Sequence, residues 1–345
     1  MSVSGDQLRT SVIEYCALIG KDPLLVQGAG GNVSWKDGDT LWVKASGTWL
    51  ADAAEKDIFV PVDLKHLCSA IHTGDFSVTP RVLGESTLRP SIETLLHALM
   101  PHPVVLHLHA VEVLAHMVRK NCEADIQSLI GESLPWVMVD YHKPGEPLAS
   151  AVSVALGQKS SVNVIFLRNH GMVIGARSVP DIEVIFRKLL SLLQNTTRSL
   201  LFDEEAIKPE SVLKSKAYYS LCTNQEVNQL ATNSYLSARV EREWVLYPDH
   251  AVFLGGKAEI WGVTIDVTDL DASDGDKPVF IFDFGKGVYE SPNVTKAHKA
   301  QLRCYYDVVI RQRLAEELAT LSPNSIAELL DWDAEKYRQA KSVHS

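Results

Sequence analysis

Two histidines in the segment VVLHLHA, His107 and His109, have the spacing of side chains that share one face of a β-strand. Two imidazoles placed in this way can bind one metal ion, while Leu108 between them points to the opposite face and into the core. A zinc site with a catalytic role needs three protein ligands and an open position for the substrate. A third ligand must therefore come from another part of the chain.

The best candidate for this third ligand is His170 in FLRNHGMVIGA, 61 residues after His109, where a predicted strand breaks and Gly171 permits a close backbone approach. Glu93 lies 14 residues before His107, in the first turn of a predicted helix, and a carboxylate beside a metal can act as an acid or a base. Taken singly, these signals are weak. Histidines hydrogen-bonded to the backbone, a common turn and a glutamate at a helix N-terminus would explain them equally well.

Three further histidines are assigned structural roles. His97 is four residues after Glu93 and is expected on a helix surface, where it can pair with that glutamate. His102 lies between two prolines, and His116 falls in a second apolar helix.

The glycine-rich segment GAGGNVS does not fit the dinucleotide-binding pattern G-x-G-x-x-G, because Val33 occupies the position of the third glycine. Backbone N–H groups, an amide and hydroxyls could instead form an anion-binding site. Tight turns are the alternative explanation. The residues concerned are Gly31, Asn32, Ser46, Gly47 and Ser91.

The surrounding pattern predicts alternating helices and strands. Helices are expected over residues 6–19, 63–71, 91–100 and 179–201 and in PLASAVSVALG, and strands in a hairpin turning at Asp37-Gly38-Asp39, in VVLHLH, in WVMVD and on both sides of Asn169-His170-Gly171. A boundary near Lys208 divides the chain into a domain of residues 1–208 and a C-terminal domain of residues 209–345. The second domain is expected to contain helices near Ser211 and Glu226 and from Asn293 and Ser322, strands in KAEIWGVTID and KPVFIFDFG, and a surface turn in DASDGDKP.

Composition argues against several classes of function. The chain has 345 residues and a net charge of −10 with scattered lysines and arginines, which argues against a nucleic-acid partner. No stretch approaches the length of about 18 apolar residues that spans a bilayer, so no membrane association is expected. The five cysteines form no C-x-x-C pair, and reduced thiols in the cytoplasm are expected.

The ordered segments GNVS, KASG, PSIETLLH, VVLHLHA and NHG together resemble the class II aldolase/adducin family over about residues 6–205. The longer segments GAGGNVSWKDGDTLWVKASGTWLADA and RPSIETLLHAL are most similar to the aldolase half of bifunctional rhamnulose-phosphate aldolase/dehydrogenase proteins. The resemblance implies an α/β fold of three layers, with a central, mostly antiparallel sheet flanked by helices, and a smaller C-terminal α/β domain.

The resemblance also implies roles for single residues. His107, His109 and His170 would bind Zn²⁺ or another divalent ion such as Mn²⁺, Co²⁺ or Fe²⁺, and Glu93 would be the acid/base. The substrate phosphate would be held by Gly31, Asn32, Ser46, Gly47 and Ser91. Many relatives carry two serines before the glutamate, whereas Ile92 stands here, so a phosphorylated substrate is less firmly implied than a metal site. The tyrosine that some family aldolases use as a general acid has no counterpart after His109.

The function implied is that of a zinc-dependent lyase, an aldolase that cleaves or forms a carbon–carbon bond in a ketose phosphate or related hydroxy-keto sugar. One alternative is a metal-dependent decarboxylase or epimerase of a sugar-acid derivative, and another is a non-catalytic, adducin-like interaction module. A homo-oligomer, dimer or tetramer, is expected. Residues 209–345 would serve in assembly or in closing the active site.

Overall fold

The structure, a computed structural model, describes residues 5–159, 161–194, 219–265 and 277–342. It divides into two compact units, one formed by Met1–Gln194 together with Asp331–Ser345 and the other by Asn195–Leu330. The sequence boundary near Lys208, the helix near Ser211 and most of the DASDGDKP turn lie outside the described residues. Residues 331–345, which were predicted to belong to the C-terminal domain, group with the first unit.

The helices of the first unit follow the apolar spacing of the sequence. In α1 (Gly5–Ile19) the buried residues Leu8, Val12, Cys16 and Ile19 recur every three or four positions, which places them on one face. The further helices are α2 (Leu64–His72), α3 (Thr94–Leu99), α4 (Val111–Met117), α5 (Cys122–Ile130), α6 (Glu146–Gly157), α7 (Val179–Leu193) and, after the second unit in sequence, a helix at Asp333–Ser342. A short 3-10 turn spans Leu50–Asp52.

A seven-stranded sheet forms the centre of this unit, with the strand order β3-β2-β1-β4-β7-β6-β5. Its strands are β1 (Asn32–Asp37), β2 (Thr40–Lys44), β3 (Phe59–Asp63), β4 (Val104–Leu108), β5 (Trp136–Val139), β6 (Val164–Leu167) and β7 (Gly171–Ala176). Every pairing is antiparallel except that of β5 with β6. The predicted α/β class with a mostly antiparallel sheet is confirmed.

The alternation of β4 shows why the unit has three layers. Val104, Leu106 and Leu108 point into one apolar cluster, which also contains residues of α1, α4, α5 and α7. Val105 points to the opposite face, where residues of α3 and α6 complete a second cluster. Leu108 therefore lies in the core as predicted, and the odd-numbered positions of β4 face the other way.

The start of α3 differs from the sequence prediction. The helix was expected to begin at Ser91, but it begins at Thr94, with Glu93 in the capping position. The Ser91 hydroxyl instead accepts a hydrogen bond from the Glu93 N–H at 3.2 Å. Short polar side chains commonly make such local bonds to the backbone, which compete with helix formation.

The second unit contains a smaller, three-stranded antiparallel sheet in the order β8-β10-β9. Its strands are β8 (Ser220–Leu221), β9 (Phe280–Asp283) and β10 (Gly287–Glu290), and its helices are α8 (Gln225–Thr232), α9 (Ser234–Arg242), α10 (Pro248–Leu254), α11 (Lys296–Val309) and α12 (Pro323–Leu330). The helix at Asp333–Ser342 is therefore α13. The strand expected in KAEIWGVTID appears only as isolated bridges at Ile260 and Trp261.

Among the described residues, no helix is both long enough and apolar enough to cross a membrane.

Candidate metal centre

The position of the first histidine pair follows from strand pairing. His107 lies opposite Asn32 on β1 and opposite Val173 on β7, in the middle of the sheet. His109 follows two residues later, directly beyond the end of β4. Both side chains are buried and are on the face of β4 opposite Leu108, as their spacing predicts.

His170 is brought to this pair by the turn between β6 and β7. Asn169 adopts a left-handed conformation with φ of 52°, which asparagine tolerates better than most residues. A Cβ at Gly171 would lie only 2.4 Å from the Leu108 carbonyl oxygen and 3.2 Å from Cδ2 of His109. Because only glycine fits here, the NHG turn can approach β4 closely enough to place its imidazole beside the other two.

The three imidazoles form one cluster. Their ring centroids are separated by 5.0 Å (His107 to His109), 5.0 Å (His107 to His170) and 5.1 Å (His109 to His170). One ring nitrogen from each histidine lies within 4.8 Å of the other two, so the group could hold a metal ion. The sequence thus selected three residues that the fold brings together.

The donor atoms fit a divalent cation. Nδ1 of His107 lies 2.9 Å from the Met172 carbonyl oxygen, to which it donates, and this leaves the Nε2 lone pair directed into the cluster. Nε2 of His107 and Nε2 of His109 are 3.2 Å apart. Two nitrogen ligands on a tetrahedral zinc ion lie about 3.3 Å apart, given Zn–N bonds of about 2.0–2.1 Å.

The carboxylate of Glu93 lies beside two of the three histidines. Its Oε2 lies 3.3 Å from Nε2 of His107, and its Oε1 lies 3.4 Å from Nε2 of His170. Burial would raise the pKa of this carboxyl, but interaction with the three imidazoles and a hydrogen bond from Asn32 lower the pKa to about 2. Glu93 is therefore an ionised carboxylate at neutral pH, able either to contact a metal or to accept a proton.

His97 belongs to the site, contrary to its assignment to a helix surface. The side chain is fully buried, with Nδ1 2.7 Å from the Ser34 hydroxyl and Nε2 hydrogen-bonded to Oδ1 of Asn32. Burial and, secondarily, His107 lower the pKa of His97 to about 3, so the ring is neutral. The i+4 spacing from Glu93 and the apolar neighbours in TLLHAL were the signals for a buried position.

These contacts have one consistent hydrogen-bond direction. The Asn32 amide donates to Oε2 of Glu93 at 3.0 Å, which leaves Oδ1 of Asn32 to accept from Nε2 of His97. Nδ1 of His97 must then accept from the Ser34 hydroxyl. Asn32, predicted to bind phosphate, thus also holds the carboxylate of Glu93 in place.

The remaining predicted anion-binding residues meet where two chain segments run side by side. The Ser46 N–H donates to the Arg89 carbonyl at 2.9 Å, and the Ser91 N–H donates to the Lys44 carbonyl at 3.1 Å. Ser46 and Ser91 therefore lie on adjacent segments and line the same cavity. Lys44, which was not predicted, is also buried, and its ammonium group donates to the Ala29 carbonyl at 3.2 Å.

A cavity of about 20 Å³ extends from these groups to Glu93 and to His109 of the histidine cluster. Its volume is close to that of one water molecule. The residues that line it include all five predicted anion-binding residues, Glu93 and His109, together with Ala29, Lys44, Ile92 and Arg338. Arg338, on α13, was not predicted, because nothing in the local sequence indicates that this distant helix reaches the site.

Comparison with known proteins gives a family match over half of the chain. The sequence model of the "Class II Aldolase and Adducin N-terminal domain" family matches residues 10–186. These residues contain every element of the histidine cluster and of the predicted anion site.

Similarity to individual proteins is more distant. A Bacillus subtilis (strain 168) protein described as "Uncharacterized oxidoreductase YuxG" is 24% identical over 229 residues, which are 62% of this chain and 32% of that protein. The chain thus spans about a third of the length of this curated relative. A solved class II aldolase domain from Thermoplasma acidophilum is 25% identical with a TM-score of 0.47 and covers 56% of this chain and 95% of its own. An L-fuculose 1-phosphate aldolase is 18% identical with a TM-score of 0.40, covering 62% and 95%.

Proposed function

Because the chain belongs to the Class II Aldolase and Adducin N-terminal domain family, we propose that it is a zinc-dependent lyase of the aldolase type. Its superfamily includes metal-dependent aldolase-type lyases. The substrate class proposed is a ketose phosphate or a related hydroxy-keto sugar, in which a carbon–carbon bond is cleaved or formed. The observation that carries the proposal is the burial of three imidazoles around one point with a carboxylate beside them.

His107, His109 and His170 would hold the ion, and their nitrogen donor set suits Zn²⁺ among the divalent metals. When bound, such an ion acts as a Lewis acid and stabilises negative charge that develops on substrate oxygens. The protein supplies a fixed frame for it. His107 is held by its bond to the Met172 carbonyl, and His170 by the tight turn at Gly171.

Glu93 is proposed to move the proton at the reacting carbon. As an ionised carboxylate it can remove a proton from the carbon next to the carbonyl in the condensation direction, and it returns that proton in cleavage. General acid–base catalysis of this kind contributes about 100- to 10,000-fold in rate. Asn32 fixes the carboxylate for this task through the 3.0 Å hydrogen bond to Oε2.

The substitution Glu93→Gln tests this assignment. The amide keeps the size of the side chain but accepts no proton, so turnover is expected to fall at least about 100-fold while the metal stays bound. Metal content by elemental analysis and product formation from ketose phosphates are measured on the same samples. An active variant with normal metal content removes the proton-transfer role of Glu93.

Decarboxylation or epimerisation of a sugar-acid derivative is the second candidate. The same cluster can stabilise the anionic intermediate of these reactions, and Ile92 removes one hydroxyl that a phosphate could use. A screen of ketose phosphates against 3-oxo and hydroxy acids, with product analysis, separates the two classes. Release of carbon dioxide without an aldehyde product would favour the second.

A non-catalytic, adducin-like role is the third candidate, and it predicts no metal requirement. The converging donors argue against it. Reconstitution with Zn²⁺ is expected to give about one ion per subunit; far less than one ion per subunit would favour the interaction module.

The lyase is proposed to act in the cytoplasm as a homo-oligomer, a dimer or tetramer. The five cysteines are all free thiols, which suits a reducing compartment. Most of residues 209–345 is proposed to serve in assembly, and residues 331–345 in closing the site. Light scattering on the full chain and on a deletion of residues 219–330 tests the assembly role, which is wrong if the stoichiometry is unchanged. Kinship with the aldolase half of bifunctional aldolase/dehydrogenase proteins is also proposed, supported by the partial match to a longer relative described as an oxidoreductase.

A further inference from the structure

The helix α13 packs directly on the residues predicted to bind an anion. Gly47 has φ of +78°, and a Cβ at this position would lie 2.6 Å from Cβ of Lys341 and 3.2 Å from the Arg338 carbonyl oxygen. No larger residue fits between the turn and the helix. The glycine of the KASG segment therefore serves as the contact surface for α13.

Two cation–π contacts fix the same helical segment at its sides. The Arg89 guanidinium lies 4.3 Å from the ring centroid of Tyr337, and the Lys143 ammonium lies 4.6 Å from that of Trp332. Trp332 also covers Gly145, where a Cβ would lie 3.3 Å from the indole. Cation–π contacts of this kind are stabilising, and more so when the two groups are desolvated.

Arg338 lies on the side of α13 that faces the cavity, and its side chain is only 11% exposed. Its Nε is 3.0 Å from Oε2 of Glu335, one turn earlier, whose side chain is 2% exposed. Across the cavity, the buried Ser46 hydroxyl makes no hydrogen bond within the described residues. A guanidinium and a buried hydroxyl group thus line the same small space.

We propose that Arg338 binds the anionic group of the substrate and so determines specificity for an oxyanion. This inference deepens the proposed function and rests on it for the reaction. A guanidinium presents its N–H groups in a planar fork that matches the oxygens of a phosphate or a carboxylate. Arg338 also lines the cavity together with Ile92 and supplies hydrogen-bond donors that the isoleucine side chain lacks.

Glu335 acts as an internal competitor in this arrangement. Its carboxylate engages Arg338 in the absence of ligand, and a substrate oxyanion replaces it as the partner of the guanidinium. Because the cavity holds about one water molecule, entry of an oxyanion requires an outward shift of the Arg338 side chain or of α13. Removing the Glu335 charge should therefore favour anion binding.

Calorimetric titration of the full chain with inorganic phosphate, and separately with glycolate, tests the proposal. Each titration is run on metal-loaded and on chelator-treated protein, so that binding to the metal itself is separated. Arg338→Gln is expected to weaken binding of the preferred anion about 10- to 100-fold, the loss typical of charge-assisted hydrogen bonds. Glu335→Gln is expected to tighten it several-fold. A preference for phosphate indicates a phosphorylated substrate, and a preference for glycolate indicates a sugar acid.

Two controls separate ligand binding from a structural role of Arg338. Lys336→Gln removes a positive charge from the same helix, but Lys336 is exposed and pairs with Asp331, so binding should stay within about twofold of the unmodified chain. The double variant E335Q/R338Q leaves no unpaired buried charge, yet its anion binding should remain weak. Affinity restored in the double variant, or unchanged in R338Q, overturns the proposal.

Failure of the Arg338 proposal can be distinguished from failure of the proposed lyase function by the metal content of the protein. Metal content is measured on the same samples. Anion binding that depends on Arg338 in a protein unable to bind metal would refute the lyase and leave the anion site standing. A metal-loaded protein that binds neither anion would refute the role of Arg338 alone.

Discussion

Replacement of His97 tests whether the buried hydrogen bonds that link Ser34, His97, Asn32 and Glu93 determine the affinity of the site for Zn²⁺. His97 contacts Ser34 through Nδ1 and Asn32 through Nε2, and Asn32 in turn holds Glu93. Glutamine can place its amide nitrogen where Nε2 lies, whereas asparagine reaches only as far as Nδ1. His97→Gln therefore removes the hydrogen bond to Ser34, and His97→Asn removes the hydrogen bond to Asn32.

The two variants should lose similar amounts of stability. His97→Gln leaves the buried Ser34 hydroxyl without its acceptor, and His97→Asn leaves Oδ1 of Asn32 without its donor. A buried polar group that loses its partner costs about 1–3 kcal/mol. Urea unfolding of metal-free protein is expected to show a loss of this size for both.

Only His97→Asn should affect the metal strongly. It frees the Asn32 amide to rotate, so that the Glu93 carboxylate beside His107 and His170 loses its fixed orientation. Loss of an outer hydrogen bond of this kind typically weakens metal affinity about 10- to 100-fold. Competition with a chromogenic chelator measures the Zn²⁺ dissociation constant without knowledge of the substrate. If the two variants bind Zn²⁺ with equal affinity and are equally stable, the hydrogen bond from His97 to Asn32 does not influence metal binding.

Three further predictions follow from single contacts. Gly171→Ala places a Cβ 2.4 Å from the Leu108 carbonyl oxygen and should destabilise the chain by more than about 1 kcal/mol in urea unfolding. Gly38→Ala is the control for backbone strain alone, because Gly38 also has a positive φ but its Cβ would point into open space. His170→Ala should reduce zinc after reconstitution well below one ion per subunit in elemental analysis, and His102→Ala, outside the cluster, should leave it unchanged. Burial lowers the pKa of His97 to about 3 and that of His116 to about 4. Because these pKa values lie below the unfolded value of about 6.5, the unfolded chain binds more protons than the folded chain at acidic pH. Each histidine should therefore lower the free energy of unfolding by up to about 1.4 kcal/mol per pH unit as the pH falls from about 6.5 towards 4. A free energy of unfolding that stays constant over this range would contradict the burial of His97 and His116 as neutral rings.

The histidine cluster could be predicted because short-range geometry determines most of it. Alternation along a strand places His107 and His109 on one face, and the glycine after His170 signals a close backbone approach. The α/β class followed in the same way from apolar periodicity. What the residues alone could not give was convergence of the NHG turn on β4, which depends on the pairing of β4 with β7. The family resemblance supplied that step.

Lys44, His97 and Arg338 of the site were not predicted, the last two for different reasons. His97 was recoverable, since TLLHAL is apolar on all sides and such a helix is buried all round. Arg338 could not be predicted, because the whole second unit lies between α13 and the predicted anion-binding segments in the sequence. No local sequence pattern indicates a contact between residues so far apart along the chain. The early start assigned to α3 is a third kind of error, in which Ser91 formed a turn with Glu93 instead of a helix cap.

The discontinuous first unit has a consequence for biosynthesis. A ribosome completes all three histidines of the cluster and the whole seven-stranded sheet before it has made residues 195–330, and α13 emerges only afterwards. A nascent or prematurely terminated chain can thus assemble the three-histidine cluster while the Gly47 side of the pocket is still uncovered. Docking of α13 must also close a very long loop, although the entropy of closure grows only logarithmically with length, by about 0.6 kcal/mol per doubling. Translation order would then keep the unfinished protein from holding a substrate anion tightly until α13 has been synthesised.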